Sequence, residues 1–397
     1  MGWGMVLDWT ELLVRWTHVI AGIAWIGSSF YFIALDASLQ PHPRLDARVK
    51  GEAWQVHGGG FYQMQKFVVA PDYLPPDLTW FKWEAYSTWI FGFLLLILVY
   101  YVSPTVYLID RSVLRIHPID AVALGAGSLA VGWLVYDRLC KSWIGDNTLR
   151  LATVGFVLLV LATFGYTHVF SGRGAFIHVG ALVGSIMVAN VFFIIIPNQK
   201  IVVRDLIAGK VPEPRLGNEA KQRSLHNNYL TLPVVFVMLS NHYAFTYSTR
   251  WSWLVLAAVF VASFLVRHWF NTKHTGAKPD WRLWPAAAVP MVLAALLTLA
   301  GQPKVEAGTG TATFAQVEQI VAERCQTCHA AKPTFAGIDA PPKGIMLDTA
   351  AHISALAPQI YQQAVVTRIM PLNNLTEITD TERQTLARWF QAGAPGP

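Results

Sequence analysis

Eight apolar runs, each near the length that crosses a bilayer, constrain this chain more than any other feature. A helix needs about 20 predominantly apolar residues to span the hydrocarbon core. Seven of the runs are long and one is shorter; they are Leu12–Leu35, Ala85–Val102, Ile119–Val135, Leu151–Phe170, Phe176–Ile196, Tyr229–Phe245, Trp253–Phe270 and Trp284–Ala300. Only 14% of the 397 residues are charged, whereas a soluble domain carries about 25%. The sequence therefore predicts an all-α, polytopic transmembrane bundle of about eight spans over residues 1–300.

The distribution of lysine and arginine between the loops predicts the orientation of the bundle. The loops after the first, third, fifth and seventh spans hold most of the basic residues, whereas the alternate loops hold only Arg111, Arg115, Arg173 and Arg250. Cytoplasmic loops carry the excess of Lys and Arg, so both termini are expected outside the cytoplasm. Met1–Thr10 lacks a basic segment and a small-residue cleavage site, so no removable signal peptide is expected. The chain has no Lys/Arg run that would indicate a nucleic-acid partner.

Near the C-terminus, Cys325, Cys328 and His329 have the CxxCH spacing that covalent attachment of a c-type haem requires. Each thiol adds across one vinyl group of the porphyrin, and His329 then lies under the iron as the proximal ligand. Half of a zinc site is the alternative, but zinc would require a second pair of ligands nearby, and Cys140 is far upstream. We therefore expect one haem c. Its attachment takes place outside the bacterial cytoplasm, which agrees with the predicted orientation and indicates the bacterial inner membrane.

The haem motif lies in a region that is predicted to be a separate domain. Residues 301–313 are rich in Gly and Thr and are predicted to form a linker. Residues 314–397 are predicted to form a small, helical, class I-like cytochrome c domain, with its first helix at Phe314–Arg324 and its last at Thr379–Gln391. Thr379 and Glu382 have the spacing of a capping box at the start of that last helix.

A sixth iron ligand is expected from a methionine. Met370, followed by Pro371, lies between a helical stretch and the final helix, where small cytochromes c place their thioether. Met346 is the alternative, although its apolar surroundings favour packing against the porphyrin. A thioether opposite a histidine raises the reduction potential and closes the coordination sphere. We therefore predict His329 and Met370 as the ligands of the haem c iron.

Histidines within the apolar runs are costly and are functional candidates for that reason. His18, His168, His178 and His242 fall at one depth, towards the outer side. A single histidine of this kind more often makes an interhelical hydrogen bond, but four at one level indicate an intramembrane haem b held by two of them. His18 is the strongest candidate, because Gly22 lies one turn on and leaves room for a flat macrocycle, although glycine also favours ordinary helix packing. Depth alone does not select the partner of His18; His242 is retained as the possible second ligand of a haem b iron.

A second group of polar residues falls towards the cytoplasmic side, in the first large loop (residues 41–83) and at the cytoplasmic ends of the sixth and seventh spans. Asn and Gln supply paired donors and acceptors, and His can take a proton near neutral pH, so the group suits a planar heterocycle rich in N–H and C=O groups. Its members are Gln55, His57, His226, Asn227, Asn228, Tyr229, His268 and Asn271. The glycines at positions 58–60 could form a backbone nest for an anion or only a turn.

Several segments together resemble one known family, the bacterial integral-membrane, cytochrome c-linked urate oxidases (urate hydroxylases). The segments are Trp16 to Tyr31, His57 to Tyr62, Phe81 to Tyr86, His226 to Pro233, Ser240 to Tyr243 and Cys325 to His329. The first span is also similar to that of bacterial membrane protoporphyrinogen oxidases, in which the histidine matching His18 is associated with haem. The resemblance implies a multi-span region followed by a haem c domain, and oxidation of urate to 5-hydroxyisourate with electrons leaving through cytochrome c.

From this resemblance we expect urate, or a similar planar purine, to bind among the polar groups of the cytoplasmic side. Arg223 or Lys66 would offset its negative charge, and His57 or His226 would act as general base. A soluble cytochrome or a terminal oxidase would receive the electrons. A urate site on the outer side is a variant of this hypothesis. The alternative function is a non-catalytic membrane b/c-type cytochrome that relays electrons from a partner dehydrogenase or from quinone.

Overall fold

The computed structural model describes residues 3–276, 278–301, 312–336 and 338–397. Its N-terminal region is a bundle of long helices in which α6 is central and packs against α2, α4, α5 and α8. Helix α1 packs along α2, and α9 packs along α10. The helices are α1 (Trp3–Ser38), α2 (Trp83–Leu96), α3 (Pro104–Tyr107), α4 (Pro118–Cys140), α5 (Thr148–Thr167), α6 (Gly172–Ala189), α7 (Ile196–Ile207), α8 (Pro214–Ser240), α9 (Ser252–His274) and α10 (Leu283–Ala300). We call the end at which α1 begins and α8 ends the first end of the bundle, and the opposite end the second end.

The predicted spans correspond closely to these helices. Among the residues that the structure describes, seven helical segments are long and apolar enough to cross a membrane. They correspond to seven of the predicted runs, of which two end one and three residues beyond their helices; the remaining run, Tyr229–Phe245, falls in the C-terminal half of α8 and continues past its last residue, Ser240. Helix α8 does not meet the composition of a span because its N-terminal half is strongly polar. It nevertheless lies within the bundle, packed against α6 and α9.

The helix after the fifth apolar run is longer than predicted. Residues from Pro197 onward were expected to form a cytoplasmic loop, but the helix continues through Pro197 to Ile207. Proline removes a backbone donor and crowds the preceding turn of an α-helix. The turn before it, Asn190–Ile195, is π-helical, and this wider turn accommodates the proline. The connection to α8 is therefore only residues 208–213.

The expectation of an all-α chain was wrong in the first large loop, which contains an antiparallel hairpin of β1 (Val49–His57) and β2 (Gly60–Phe67). Gly58 and Gly59 join the strands with φ values of 59° and 78°, the left-handed conformation that a two-residue hairpin turn requires. The glycine run is therefore a turn, which was one of its two interpretations. It places His57 at the exposed tip of the hairpin.

The C-terminal residues form a second, separate hydrophobic core. Its helices are α11 (Phe314–Arg324), α12 (Gln326–His329), α13 (Ala350–Ala355), α14 (Ala357–Ile360) and α15 (Asp380–Gln391). The bounds predicted for the first of these helices are confirmed, and so is the capping box, in which Thr379 and Glu382 cap each other's backbone at the start of α15. Trp389 and Phe314 meet edge to face in this core. The predicted linker, residues 301–313, lies mostly outside the described residues.

The two parts of the chain meet at the first end of the bundle. The Asn373 side chain donates a hydrogen bond to the backbone carbonyl of Val106 at 2.7 Å. Arg111 forms an ion pair with Glu377 at 3.1 Å. Asn373 follows Met370 by three residues, so the predicted methionine loop is the part of the C-terminal region that rests on the bundle.

Candidate functional site

The CxxCH segment begins where α11 ends. The backbone N–H groups of Cys328 and His329 donate to the carbonyl of Cys325 at 3.1 and 2.9 Å, which folds the motif into a single helical turn. Both cysteines are half-buried free thiols. Burial raises the pKa of the Cys325 thiol to about 12, so this thiol is neutral at neutral pH. Two unpaired thiols on one turn fit the attachment of a porphyrin through both of its vinyl groups.

The ring of His329 is oriented by a backbone contact. Its Nδ1 lies 3.0 Å from the carbonyl oxygen of Ile345, and because a carbonyl only accepts, Nδ1 must carry the proton. The lone pair is then on Nε2, as a metal-ligating histidine with this kind of supporting contact requires. The backbone N–H of Leu347 donates to the His329 carbonyl at 2.7 Å. Met346 lies in the chain between the two residues, Ile345 and Leu347, that make these contacts.

Met370 is held by a different part of the domain. Its N–H donates to the carbonyl of Gln363 at 3.1 Å, and its own carbonyl accepts from buried Arg383 at 2.9 Å. Burial lowers the pKa of Arg383 to about 10, so this guanidinium remains charged at neutral pH. The backbone of Met370 is thus fixed by Gln363 and Arg383, so this methionine could supply the predicted second ligand of a haem iron from a part of the domain separate from the His329 turn.

A cavity of about 390 Å³ opens among α1, α2, α6 and α8, and both His18 and His242 line it. The His18 Nδ1 lies 2.9 Å from the carbonyl oxygen of Thr88, so Nδ1 is the donor and the Nε2 lone pair is available. Gly92 makes room for this ring, since a Cβ there would lie 2.7 Å from it. The walls are otherwise mostly apolar. The structure thus brings one of the three candidate partners, His242, into the same cavity as His18.

Two arginines lie at the first-end rim of this cavity. Arg15 is half-buried and pairs with Glu11. Arg173 donates through Nε to Asn241 at 3.2 Å, and its guanidinium lies 5.9 Å from the centre of the Tyr100 ring. Apolar walls, two histidines and two rim arginines fit a haem b, for which the histidines would be the iron ligands and the arginines would lie near the propionates. Sequence reasoning did not single out Arg15 and Arg173 for this role.

The other two histidines of the outer level do not line the cavity. His168 is exposed at the end of α5, and its Nδ1 lies 2.7 Å from the carbonyl oxygen of Phe164. His178 is fully buried, with Nδ1 2.8 Å from the Gly174 carbonyl and Nε2 3.0 Å from the Tyr101 hydroxyl. Both ring nitrogens of His178 are therefore used within the protein, as in a core histidine. Among the described residues, no group of three or more His, Cys, Asp or Glu side chains is placed to hold a metal ion.

At the second end, a buried polar network surrounds Arg223. Arg223 pairs with Asp137 at 2.8 Å and its side chain is only 3% exposed. It also reaches Asn190, whose amide donates to Asn227 at 2.9 Å. The Tyr136 hydroxyl lies 2.7 Å from Nδ1 of His226 and accepts from Asn190. His226 and Asn227 thus belong to one network, and Tyr136, Asp137 and Asn190 are members that sequence reasoning missed.

Replacing Asp137 with alanine is expected to lower the free energy of unfolding by about 3–5 kcal/mol, because it leaves the buried Arg223 charge unpaired. Titration with a denaturing detergent measures this loss. The matched control is Lys141→Ala, which removes the second and 51% exposed partner of the same carboxylate; an exposed pair contributes about 0–1 kcal/mol. Equal losses in the two variants would contradict the structural role given to the buried pair.

The remaining polar residues of the second end are divided into smaller groups. Asn228 accepts hydrogen bonds from Arg267 Nε at 2.8 Å and from Asn271 Nδ2 at 2.9 Å. The Tyr229 hydroxyl lies 2.7 Å from Nδ1 of His268. The eight predicted members of this site therefore do not form one cluster: Asn228 and Asn271 lie together, and Tyr229 and His268 form a separate pair.

The two predicted members from the first loop lie on the hairpin. Gln55 accepts a hydrogen bond from the Tyr31 hydroxyl at 3.0 Å, which places it beside the second end of α1. His57 is exposed at the tip, and among the described residues its side chain makes no hydrogen bond that would join it to His226. Lys66, one of the two expected charge partners for urate, is paired with Asp36 at 2.7 Å.

The helical bundle matches a known protein family. A family model described as "Urate oxidase N-terminal" matches residues 4–299, which is the whole of the helical bundle. Neither a curated protein nor a solved structure matches the chain.

Proposed function

Since the chain belongs to the urate oxidase N-terminal family, we propose that it is a membrane-bound urate oxidase that converts urate to 5-hydroxyisourate. A haem c attached to the same chain would supply the exit for the electrons, towards a soluble cytochrome or a terminal oxidase. The proposal depends on one observation: the same chain contains a urate oxidase family region and, C-terminal to it, the Cys325, Cys328 and His329 side chains of a haem c attachment motif. An enzyme that delivered electrons directly to oxygen would have no use for such a site.

The residues that would hold the cofactors follow from the donor sets described above. Cys325 and Cys328 would attach haem c, with His329 and Met370 as ligands of its iron. His18 and His242 would hold a haem b in the cavity between α1, α2, α6 and α8, with the rim arginines beside its propionates. Bound at these positions, the haems accept and release single electrons, which lets the two-electron oxidation of substrate proceed without oxygen.

The reaction balances with water as the oxygen source. The urate monoanion loses two electrons and one proton to give dehydrourate, which is electrophilic at C5. Water then adds its oxygen to C5 and a hydrogen to the neighbouring ring nitrogen, giving 5-hydroxyisourate. We assign the proton transfer to a histidine at the second end of the bundle. His226 and His268 each have Nδ1 beside a tyrosine hydroxyl that can accept from Nδ1–H, which leaves the Nε2 lone pair to act as base, and His268 is the one that follows Arg267 on α9. His57, at the exposed hairpin tip, is the less favoured candidate.

The loop charges support an orientation with the first end of the bundle in the periplasm of a bacterial inner membrane. The contacts of Asn373 and Arg111 agree with it, because they hold the C-terminal domain against that same end. Electrons from substrate at the second end must cross a hydrocarbon core of about 30 Å. The cavity that contains His18 and His242 lies between that end and the C-terminal domain.

The test is turnover by the purified, haem-loaded chain with oxidised soluble cytochrome c as acceptor. We expect urate to disappear while two molecules of cytochrome c are reduced for each urate, with no hydrogen peroxide formed. Peroxide release in proportion to urate loss would contradict the proposal. A chain that carries its haems but becomes reduced only when a separate dehydrogenase or quinol is added would instead be an electron relay.

A further inference from the structure

We propose that Arg267, Asn228 and Asn271 form the binding site for a planar heterocyclic monoanion. If the proposed function is right, this anion is urate, and in that respect the inference rests on it. The site lies at the second end of the bundle, where α8 and α9 pack against each other and both contact α1. The sequence did not predict Arg267 as a partner for the negative charge of a substrate.

Arg267 is a buried cation that has no anion of its own. The residue is only 4% exposed, and no carboxylate of the described residues lies within ion-pair distance of it. Its Nε donates to Asn228 Oδ1 at 2.8 Å, whereas Nη1 and Nη2 find no acceptor in the part of the chain that the structure describes. A buried charge is strongly destabilising unless it is paired, so Arg267 calls for a ligand that carries negative charge.

Arg223 differs from Arg267 because it has an anionic partner. Both arginines are buried at the second end of the bundle, but Arg223 is neutralised by Asp137 at 2.8 Å. Lys66 is likewise paired, with Asp36. The two basic residues that sequence reasoning offered to the substrate are therefore already satisfied, and Arg267 is the buried guanidinium that is left for it.

The two asparagines add a free donor and a free acceptor. Asn228 is fully buried, and its Oδ1 accepts from both Arg267 and Asn271, which fixes the orientation of the amide. Its Nδ2 and the Oδ1 of Asn271 are buried and have no hydrogen-bond partner. Leaving a buried polar atom unpaired is destabilising. A ligand with adjacent C=O and N–H groups would satisfy both atoms at once.

An aromatic ring completes the site. The guanidinium carbon of Arg267 lies 3.7 Å from the centre of the Phe30 ring, which holds the planar guanidinium in place from one side. Phe30 lies one turn of α1 beyond Ile26, and Ile26 lines the cavity that contains His18. An anion bound at Arg267 would therefore lie next to the cavity, about 18 Å along α1 from His18. This position is suitable for an electron donor to a group held there.

Ligand-induced thermal stabilisation of the purified, full-length, haem-loaded protein tests the site independently of turnover. Under anaerobic conditions, urate is expected to raise the melting temperature of the wild-type protein, because a ligand stabilises the state that it binds. Arg267→Gln should weaken urate binding by at least ~10-fold, since hydrogen bonds to charged groups contribute about 1.5–3 kcal/mol. The matched control is Arg204→Gln, which removes an exposed guanidinium paired only with its neighbour Asp205 on α7; urate stabilisation should be unchanged.

A second readout separates a binding role from a structural one. Without ligand, Arg267→Gln should melt at a temperature no lower than the wild-type protein, because it removes an unpaired buried charge. A purely structural arginine would give a lower melting temperature. If Arg267→Gln fails to fold, Asn271→Ala supplies the same test, since it removes the free acceptor and should weaken urate binding while the haem spectrum remains that of the wild type.

The possible outcomes distinguish this inference from the proposed function. Unchanged urate stabilisation in both Arg267→Gln and Asn271→Ala would overturn the inference and leave urate oxidation intact. Urate could fail to stabilise the wild-type protein while another planar anion such as orotate raises its melting temperature, and Arg267→Gln could abolish that effect. In that case the anion site is confirmed and the proposed substrate is wrong. If neither urate nor orotate stabilises the wild-type protein, the anion site is overturned.

Discussion

A Cys325→Ser/Cys328→Ser variant is expected to carry no covalently bound haem and to pass no electrons from urate to soluble cytochrome c. Serine cannot form the thioether bonds, so no covalent bond between the porphyrin and the chain would remain. Haem staining of a denaturing gel measures the covalent attachment, and anaerobic cytochrome c reduction measures electron exit. Both should fall to background, which makes this the largest effect expected of any substitution in the chain.

The third cysteine provides the matched control for this variant. Cys140 is a half-buried free thiol at the end of α4, at the opposite end of the bundle from the haem motif. Cys140→Ser should retain full haem staining and full electron exit. Staining that persists in the double variant, or that is lost in the Cys140 variant, would contradict the assignment of the CxxCH segment.

A His18→Ala/His242→Ala variant is expected to lose the b-type haem while keeping the c-type haem. His18 has the lone pair of Nε2 available and lines the same cavity as His242. Even supporting contacts to a metal ligand change metal affinity by 10–100-fold, so removing both ligands should lower b-haem occupancy by more than ~100-fold. A pyridine haemochrome spectrum measures both haem types per chain.

His168→Ala is the control for the histidine variant. His168 was predicted to lie at the same depth as His18 but is exposed and lies outside the cavity. Its replacement should leave both haems in place. If the double variant kept its b-type haem and the control lost it, the ligands would have to be reassigned to another pair of helices. If the wild-type protein contains haem c alone, the proposal that His18 and His242 hold a b-type haem is wrong.

The features that sequence alone predicts here are those encoded locally. Apolar runs of span length predict helices because each run must satisfy its own backbone hydrogen bonds in lipid. The capping box of α15 was predictable because its two partners, Thr379 and Glu382, are three residues apart. The hairpin also has a local signal, the Gly58-Gly59 pair, but a single pair of glycines fits several kinds of turn.

The pairing of groups between distant helices was not predictable. The sequence does not distinguish the roles of Arg223 and Arg267. Arg223 lies just before the sixth apolar run, and Arg267 lies near the end of the seventh. Their difference arises because α4 supplies Asp137 to Arg223, whereas α8 and α9 bring only amides to Arg267. The choice of His242 as the partner of His18 depends in the same way on how α1 and α8 pack around the cavity. One sequence signal was available and unused: Arg267 lies inside an apolar run, where a charge is costly.

Anaerobic titration of the purified, fully oxidised protein with urate shows whether this chain itself oxidises urate. We expect the absorption bands of haem c to appear in their reduced form without oxygen or any added protein, and each urate to deliver two electrons to the protein. If haem c stays oxidised in excess urate and becomes reduced only through another donor, this chain is not the catalyst that oxidises urate.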